Sequence, residues 1–171
     1  SATIETKVTP QERNRVAIDF YINEGSVARI KEVKIIGTTK FDEDDLLSRL
    51  DLKPTNFISW WNKDDRYSRQ ILTGDLEKIR SFYMDRGYLD FDIKNTTVSI
   101  SETKKNVYIS IIIDEGDKYN FGDIKISGKY YPLNEESIFQ NDIKTIKGEV
   151  FSRKLLNQST ESINQELGNY G

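Results

Sequence analysis

Cysteine and histidine are both absent from this chain of 171 residues, which also holds only three prolines and one methionine. Without cysteine there is no disulfide framework, no thiolate nucleophile and no thiolate metal site. Without histidine the commonest general base and a usual zinc ligand are missing too. Zero cysteine suits a reducing cytosol and a periplasm equally, so it assigns no compartment. No apolar run approaches the ~18 residues that read as a membrane-spanning helix, and the N-terminus lacks a signal-peptide pattern. The chain reads as a soluble excerpt of a longer protein. Neither charge dominates: the net charge is −3 and no basic stripe exists to displace phosphate counterions, which argues against nucleic acid as a partner. There is no phosphate-cradling glycine loop, no zinc-ligand spacing and no nucleophile–base constellation. The expectation is a protein that is not an enzyme, with no cofactor, no metal and no catalytic residue.

What the chain does contain is a repeat. VAIDFYINEGSVARIKEVKIIG, beginning at Val16, returns as VYISIIIDEGDKYNFGDIKISG, beginning at Val107, an offset of 91 residues with 8 of 22 positions identical. A period this long marks successive small domains, with the repeated stretch crossing a junction between them. The 36% hydrophobic content suits modest cores, and 31% charged residues suit their high surface-to-volume ratio.

In each copy an alternating run predicts a strand with one buried face: Val16, Ile18, Phe20 and Ile22, then Val107, Ile109, Ile111 and Ile113. Both runs end in an acidic Glu-Gly turn (Glu24-Gly25, Glu115-Gly116), and a second short strand follows, through Val33 and Ile35 or through Ile124 and Ile126. The connector is too short for a free tether, so adjacent units should be semi-rigidly oriented. A helix comes next, with Asp42 as N-cap and a Phe41–Leu46 staple; Asn134, Leu133 and Ile138 repeat the pattern. Acidic residues in the first turn (Glu43, Asp44, Asp45; Glu135, Glu136) are accounted for by the helix dipole rather than by a metal. A second helix is capped by Ser68 or Ser152, with staples Tyr67–Leu72 and Phe151–Leu156. Leu72, Leu76, Ile79 and Tyr83 share one face of the first of these, and Leu156, Ile163 and Leu167 one face of its counterpart. Gly87 is placed to end the helix. Gly74, in its interior, costs ~1 kcal/mol against alanine and so suggests a close backbone contact. The resulting plan is α+β, strand-helix-helix-strand-strand in each unit.

Residues 88–100 form the fourth element. Leu89, Phe91 and Ile93 share one face and Val98 and Ile100 share one, but the step from Ile93 to Val98 is odd. A β-bulge near Asn95-Thr96 restores the phase. Bulges favour edge strands, and an edge strand offers its free N–H and C=O groups to another extended chain by β-augmentation. The candidate strand-pairing edge is Tyr88, Leu89, Asp90, Phe91, Asp92, Ile93, Lys94 and Asn95; the alternative is a hairpin that only completes its own sheet. Trp60 and Trp61 lie in an insertion between the helices that the second copy lacks. They have two readings, packing onto their own domain or anchoring a partner.

Several strings resemble the POTRA domains of the BamA family of outer-membrane β-barrel assembly proteins: Trp60-Trp61-Asn62, then Gly74-Asp75-Leu76-Glu77-Lys78-Ile79-Arg80-Ser81-Phe82-Tyr83, then Asp85-Arg86-Gly87-Tyr88. Thr9-Pro10, Arg13-Asn14-Arg15-Val16, the two Glu-Gly turns and Lys34-Ile35-Ile36-Gly37 extend the likeness to nearly the whole chain. The order matches the second, third and fourth units of that family. The resemblance implies tandem POTRA units, each with a three-stranded mixed sheet packed on two helices. Residues 1–25 would be the C-terminal hairpin of a preceding unit, residues 28–116 a complete unit, and residues 119–171 a unit lacking its C-terminal hairpin. The loop Asp64-Asp65-Arg66 and the turn Lys104-Lys105 depart from the family pattern.

The resemblance further implies the periplasmic portion of an outer-membrane protein, joined to the membrane only through a C-terminal barrel absent from this chain. Its partners would be unfolded outer-membrane β-barrel proteins, paired strand to strand, and accessory assembly lipoproteins. Alternatives of other kinds are the POTRA arm of a related transporter, of two-partner secretion or division type, and a passive structural spacer. A hairpin without a sheet at one end and a unit without a hairpin at the other also suggest a truncation-induced homodimer, residues 1–25 of one copy docking on residues 119–171 of the other.

Overall fold

The computed structural model describes residues 3–23, 28–55, 66–128 and 139–169. In chain order the elements are β1 (Thr3–Gln11), β2 (Arg15–Asn23), β3 (Arg29–Ile36), α1 (Glu43–Ser48), α2 (Arg69–Met84), β4 (Asp92–Ile100), β5 (Asn106–Asp114) and α3 (Arg153–Gly168). β1 and β2 make an antiparallel hairpin. The other three strands form a mixed sheet in the order β3-β5-β4, with β3 parallel and β4 antiparallel to β5. Elements and sheet together make the α+β architecture expected of the repeat.

The core grows from the period-2 pattern of the central strands. Ile30, Val33 and Ile35 of β3 are buried with Val107, Ile109, Ile111 and Ile113 of β5. Leu46 of α1 and Leu72, Ile79, Phe82 and Tyr83 of α2 join them in one cluster, with Leu76 partly buried against it. Tyr83 is its hub: the Phe91 ring stacks on it at 4.3 Å, while Phe41 and Tyr88 meet it edge-on. Such ring pairs add ~0.5–1.5 kcal/mol beyond area burial. Arg49 and Arg86 both lie over the Phe82 ring, at 4.4 and 3.8 Å.

Helix ends follow expectation where the cap is serine. Ser68 accepts a hydrogen bond from the Ile71 amide and Ser152 one from the Leu155 amide. Asp42 occupies the N-cap position of α1, but its side chain makes no capping bond. The carboxylate used there is the next one: Glu43 accepts the Ile35 amide at 2.7 Å, joining α1 to β3. Asp75, fully buried, accepts the amides of Asp51 and Leu52 at 2.9 Å and pairs with Lys78. The Gly74-Asp75-Leu76-Glu77 string is thereby a device that holds the chain leaving α1.

Among the described residues, a Cβ at Gly74 would meet nothing within 4 Å. Gly74→Ala is therefore expected to stabilise the chain by ~1 kcal/mol through helix propensity alone, seen as a higher urea midpoint at unchanged slope. Loss of stability would place a backbone or side chain against that site.

Two expected strands behave differently. Val16, Ile18, Phe20 and Ile22 alternate as foreseen, yet no face of the hairpin is buried: these four are 51–65% exposed. Residues 121–127, with Ile124 and Ile126, are not in a strand. In the first copy the equivalent segment is β3, which owes its ladder to β5. Among the described residues Phe121 bonds through its backbone to Gly148 and Glu149, but no strand pairs with Ile124 or Ile126. Leu156 and Leu167 of α3 are exposed. Leu133, Asn134 and Ile138 lie outside the described residues, as do Glu24, Gly25, Trp60 and Trp61.

Candidate strand-pairing edge

β4 stands at the rim of the three-stranded sheet: one side pairs with β5, and no described strand occupies the other. Its burial is correspondingly shallow, with Ile93 and Val98 only partly covered and Ile100 exposed. Ile93 pairs with Ile113, and after one extra residue Asn95 pairs with Ile112, Thr96 with Ile111, Val98 with Ile109 and Ile100 with Val107. The extra residue is Lys94. The bulge thus exists, and lies just before the Asn95-Thr96 position expected for it. It returns Thr96, Val98 and Ile100 to the face that Ile93 occupies, which the parity of the apolar residues demanded. Lys94 Nζ lies 3.3 Å from Asp92 and 3.4 Å from Asp114. Hydrogen bonding to Asp92 and then to Asp114 holds this exposed ammonium above the usual lysine range.

Not all eight candidate residues lie on this edge. Asp92, Ile93, Lys94 and Asn95 open β4, but Tyr88, Leu89, Asp90 and Phe91 precede it in the turn that leaves α2. Tyr88 and Phe91 are buried in the aromatic cluster, so neither is offered to a partner. The spacing of those two aromatics, three apart with Leu89 and Asp90 between them, is a turn signal that simple alternation hides. Residues 95–100 beyond the bulge are the uninterrupted part of the open ladder.

Asp90 has another task. It accepts the Tyr119 hydroxyl at 2.6 Å, part of a joint between the three-stranded unit and the segment after it. The Gly87 carbonyl accepts the Tyr119 amide at 2.8 Å, and the Tyr119 carbonyl accepts the Phe151 amide. Gly87 has φ +100, and a Cβ there would lie 2.9 Å from Val150 Cγ1 and 3.0 Å from the Tyr119 carbonyl oxygen. Asp85 accepts the Lys154 amide at the start of α3, and Arg153 donates to Glu77 at 2.7 Å and to Ser81. The Asp85-Arg86-Gly87-Tyr88 string therefore serves the joint at Asp85 and Gly87 and the core at Arg86 and Tyr88.

Glu115, which sequence reading treated only as part of a turn, is the most connected carboxylate described. It is buried, and it accepts the Thr39 hydroxyl and amide, the Lys40 amide and the Tyr83 hydroxyl at 2.8 Å. Burial opposes its ionisation, but the bonds from Thr39, Lys40 and Tyr83 outweigh that and hold its carboxyl below the usual range. The Tyr83 hydroxyl is pushed well above the usual tyrosine range, first by burial and then by the bond to Glu115.

A family model described as POTRA, surface antigen variable number repeat, matches residues 28–116. The chain belongs to the POTRA family. Among curated proteins it is similar to the outer membrane protein assembly factor BamA of Buchnera aphidicola, 31% identical over 94% of this chain and 26% of that protein. The BamA of Neisseria meningitidis serogroup B is 28% identical over 98% of this chain and 21% of its own length. The POTRA chain thus spans about a quarter of the relatives it matches. A crystal structure of Haemophilus influenzae BamA POTRA3-5 superposes with a TM-score of 0.63 at 17% identity, covering 96% of this chain and 61% of that one, a likeness of fold.

Proposed function

We propose that this chain is a periplasmic arm of the machinery that assembles outer-membrane proteins. Unfolded β-barrel precursors pair with the free side of β4 by β-augmentation, and accessory assembly lipoproteins dock on the same arm. The observation that carries the reading is the place of β4 at the sheet rim, with no described strand on its other side. The names of the relatives, outer membrane protein assembly factors, support the setting. On this reading the chain divides into a hairpin of one POTRA unit (residues 1–25), a complete unit (28–116) and part of a third (119–171).

The energetics favour brief encounters. Each backbone hydrogen bond nets ~0.5–1.5 kcal/mol, and ordering a peptide backbone costs roughly 1–2 kcal/mol per residue. Residues 95–100 supply only a few outward-facing groups, so pairing is weak and indifferent to most side chains. That suits passing many clients along a surface. The bulge at Lys94, with its ammonium paired to Asp92 and Asp114, ends the regular ladder on one side.

Titrating isotope-labelled protein with a peptide copied from a barrel strand tests the reading. Chemical-shift changes are expected in residues 95–100 and across β5, fading toward Asp92. Thr97→Pro removes an amide and fixes φ on the edge strand, and is expected to weaken binding at least about tenfold if that amide faces outward, with Val98→Pro testing the alternate amide. No shifts in β4 at saturating peptide would leave a passive spacer, and equal binding by both proline variants would move the site elsewhere.

A further inference from the structure

A three-stranded sheet has two rims, and β3 forms the second. Among the described residues no strand lies beyond it, so topology alone would let it take an extended chain as β4 does. Its backbone, however, is bonded from outside the sheet. The Ile35 amide donates to Glu43 Oε1 at 2.7 Å. The Ile30 carbonyl accepts both the Thr55 amide at 2.8 Å and the Thr55 hydroxyl at 3.0 Å. Arg29, one residue earlier, bridges to Arg66. These partners belong to α1, to the chain leaving it and to the chain entering α2. Between the two stops, residues 31–34 offer little. An extra residue at Lys31 shifts the register against β5, and Glu32 and Lys34 pair at 3.2 Å. A bulge and charged side chains both discourage pairing at an edge. β4 differs: residues 95–100 keep continuous register with β5, and no side chain among the described residues bonds to their backbone.

We infer that Glu43 and Thr55 select the docking edge, closing β3 to extended chains so that, within this sheet, only β4 receives them. The inference rests on the strand-pairing role proposed above and supplies its specificity determinants. The ligand class is the same, an extended polypeptide with free backbone groups; the two side chains decide where it pairs. Glu43 takes the amide that a visiting carbonyl would need, and it holds the start of α1 against the end of β3. Thr55 directs its hydroxyl and its amide at one carbonyl, whose two lone pairs are then both engaged. One usable edge limits the unit to one client strand.

Isotope-labelled parent, titrated with a peptide copied from a barrel strand, should shift in residues 95–100 and stay silent in β3. Glu43→Ala should add peptide-induced shifts across residues 32–36, with the dissociation constant at β3 falling at least about tenfold. Glu43→Asp keeps the acidic first turn of α1 but withdraws the oxygen by one methylene, and should open β3 likewise. It keeps the test decisive where Glu43→Ala fails to fold. Glu43→Gln keeps an acceptor oxygen at full length and should leave β3 closed. A role limited to the helix dipole predicts no β3 response from any of the three. Adding Thr55→Ala to Glu43→Ala should extend the new shifts toward Ile30. A β3 that responds in the parent, one that stays silent in Glu43→Ala and Glu43→Asp alike, or one that Glu43→Gln opens as widely as Glu43→Ala would overturn the inference, whether or not β4 responds. Silence of β4 beside a β3 response in Glu43→Ala would overturn the docking role of β4 and leave the closure of β3 standing.

Discussion

Glu115→Ala is expected to destabilise the three-stranded unit by about 3 kcal/mol and to lower its melting temperature by roughly 12–24 °C, read by calorimetry or urea unfolding. The substitution strips acceptors from the Thr39 and Lys40 amides, the Thr39 hydroxyl and the Tyr83 hydroxyl. Donors left unpaired in a buried site each cost ~1–3 kcal/mol, less whatever water recovers. The pH dependence has a definite sign. The folded carboxyl is depressed, so its contribution is complete above the ordinary glutamate pKa and is lost as pH falls through the lower folded value. Glu115→Gln should therefore be less stable than the parent at neutral pH, with the gap closing in acid. A gap that stays constant or widens as pH falls would mean that Glu115 is not held ionised by these donors. Tyr83→Phe removes one donor only and should cost less, about 1 kcal/mol.

The consequence reaches beyond stability because of where Glu115 sits. It directly follows β5 and precedes Gly116, which packs on Asp90, and Asp90 in turn accepts Tyr119 across the joint. The carboxylate thus fixes the exit of the central strand against the turn before α1 and the end of α2. A loosened exit should change the angle at which the next segment leaves while β4 keeps its own register. Strand pairing at β4 and the geometry of the arm are then separable by mutation.

The parts of this design legible in the sequence are those set by local pattern. Alternation located β3 and β5, serine caps located α2 and α3, and an odd count between Ile93 and Val98 called for a bulge. The extra residue is Lys94, next to the expected Asn95-Thr96, since parity requires an extra residue without saying where it sits. Features set by distant partners were hidden. Asp42 looked like a cap, but the competing carboxylate Glu43 reaches β3 instead. Glu24 and Glu115 are identical across the repeat, and that identity was a signal for something beyond a turn; only the fold supplies Tyr83, Thr39 and Lys40 as donors. Ile124 and Ile126 carry a strand pattern, and a pattern without a neighbouring strand makes no ladder. At the candidate edge, alternation placed Leu89 and Phe91 on a strand, whereas the aromatic cluster draws Tyr88 and Phe91 inward and delays the strand to Asp92.

Two glycine-to-alanine changes in this unit should move stability in opposite directions. Gly37, at the end of β3, has φ +104, a conformation that costs an L-residue ~1–3 kcal/mol. A Cβ there would also overlap the backbone carbonyl oxygen of Ile113, on the neighbouring strand. That oxygen belongs to the central strand and cannot swing aside as a side-chain tip would. Relief requires β3 and β5 to part, near the end where Glu115 begins its network. Gly37→Ala is therefore expected to cost at least about 3 kcal/mol, strain and overlap together. The loss should appear as a lower urea midpoint and as faster amide exchange at the adjoining ends of β3 and β5. Gly74→Ala adds the same methyl group to a helix face that meets nothing among the described residues, and should raise the midpoint. A Gly37→Ala protein as stable as the parent would mean that the turn after β3 is free to take another conformation, and that the sheet does not depend on the close approach of Gly37 to Ile113.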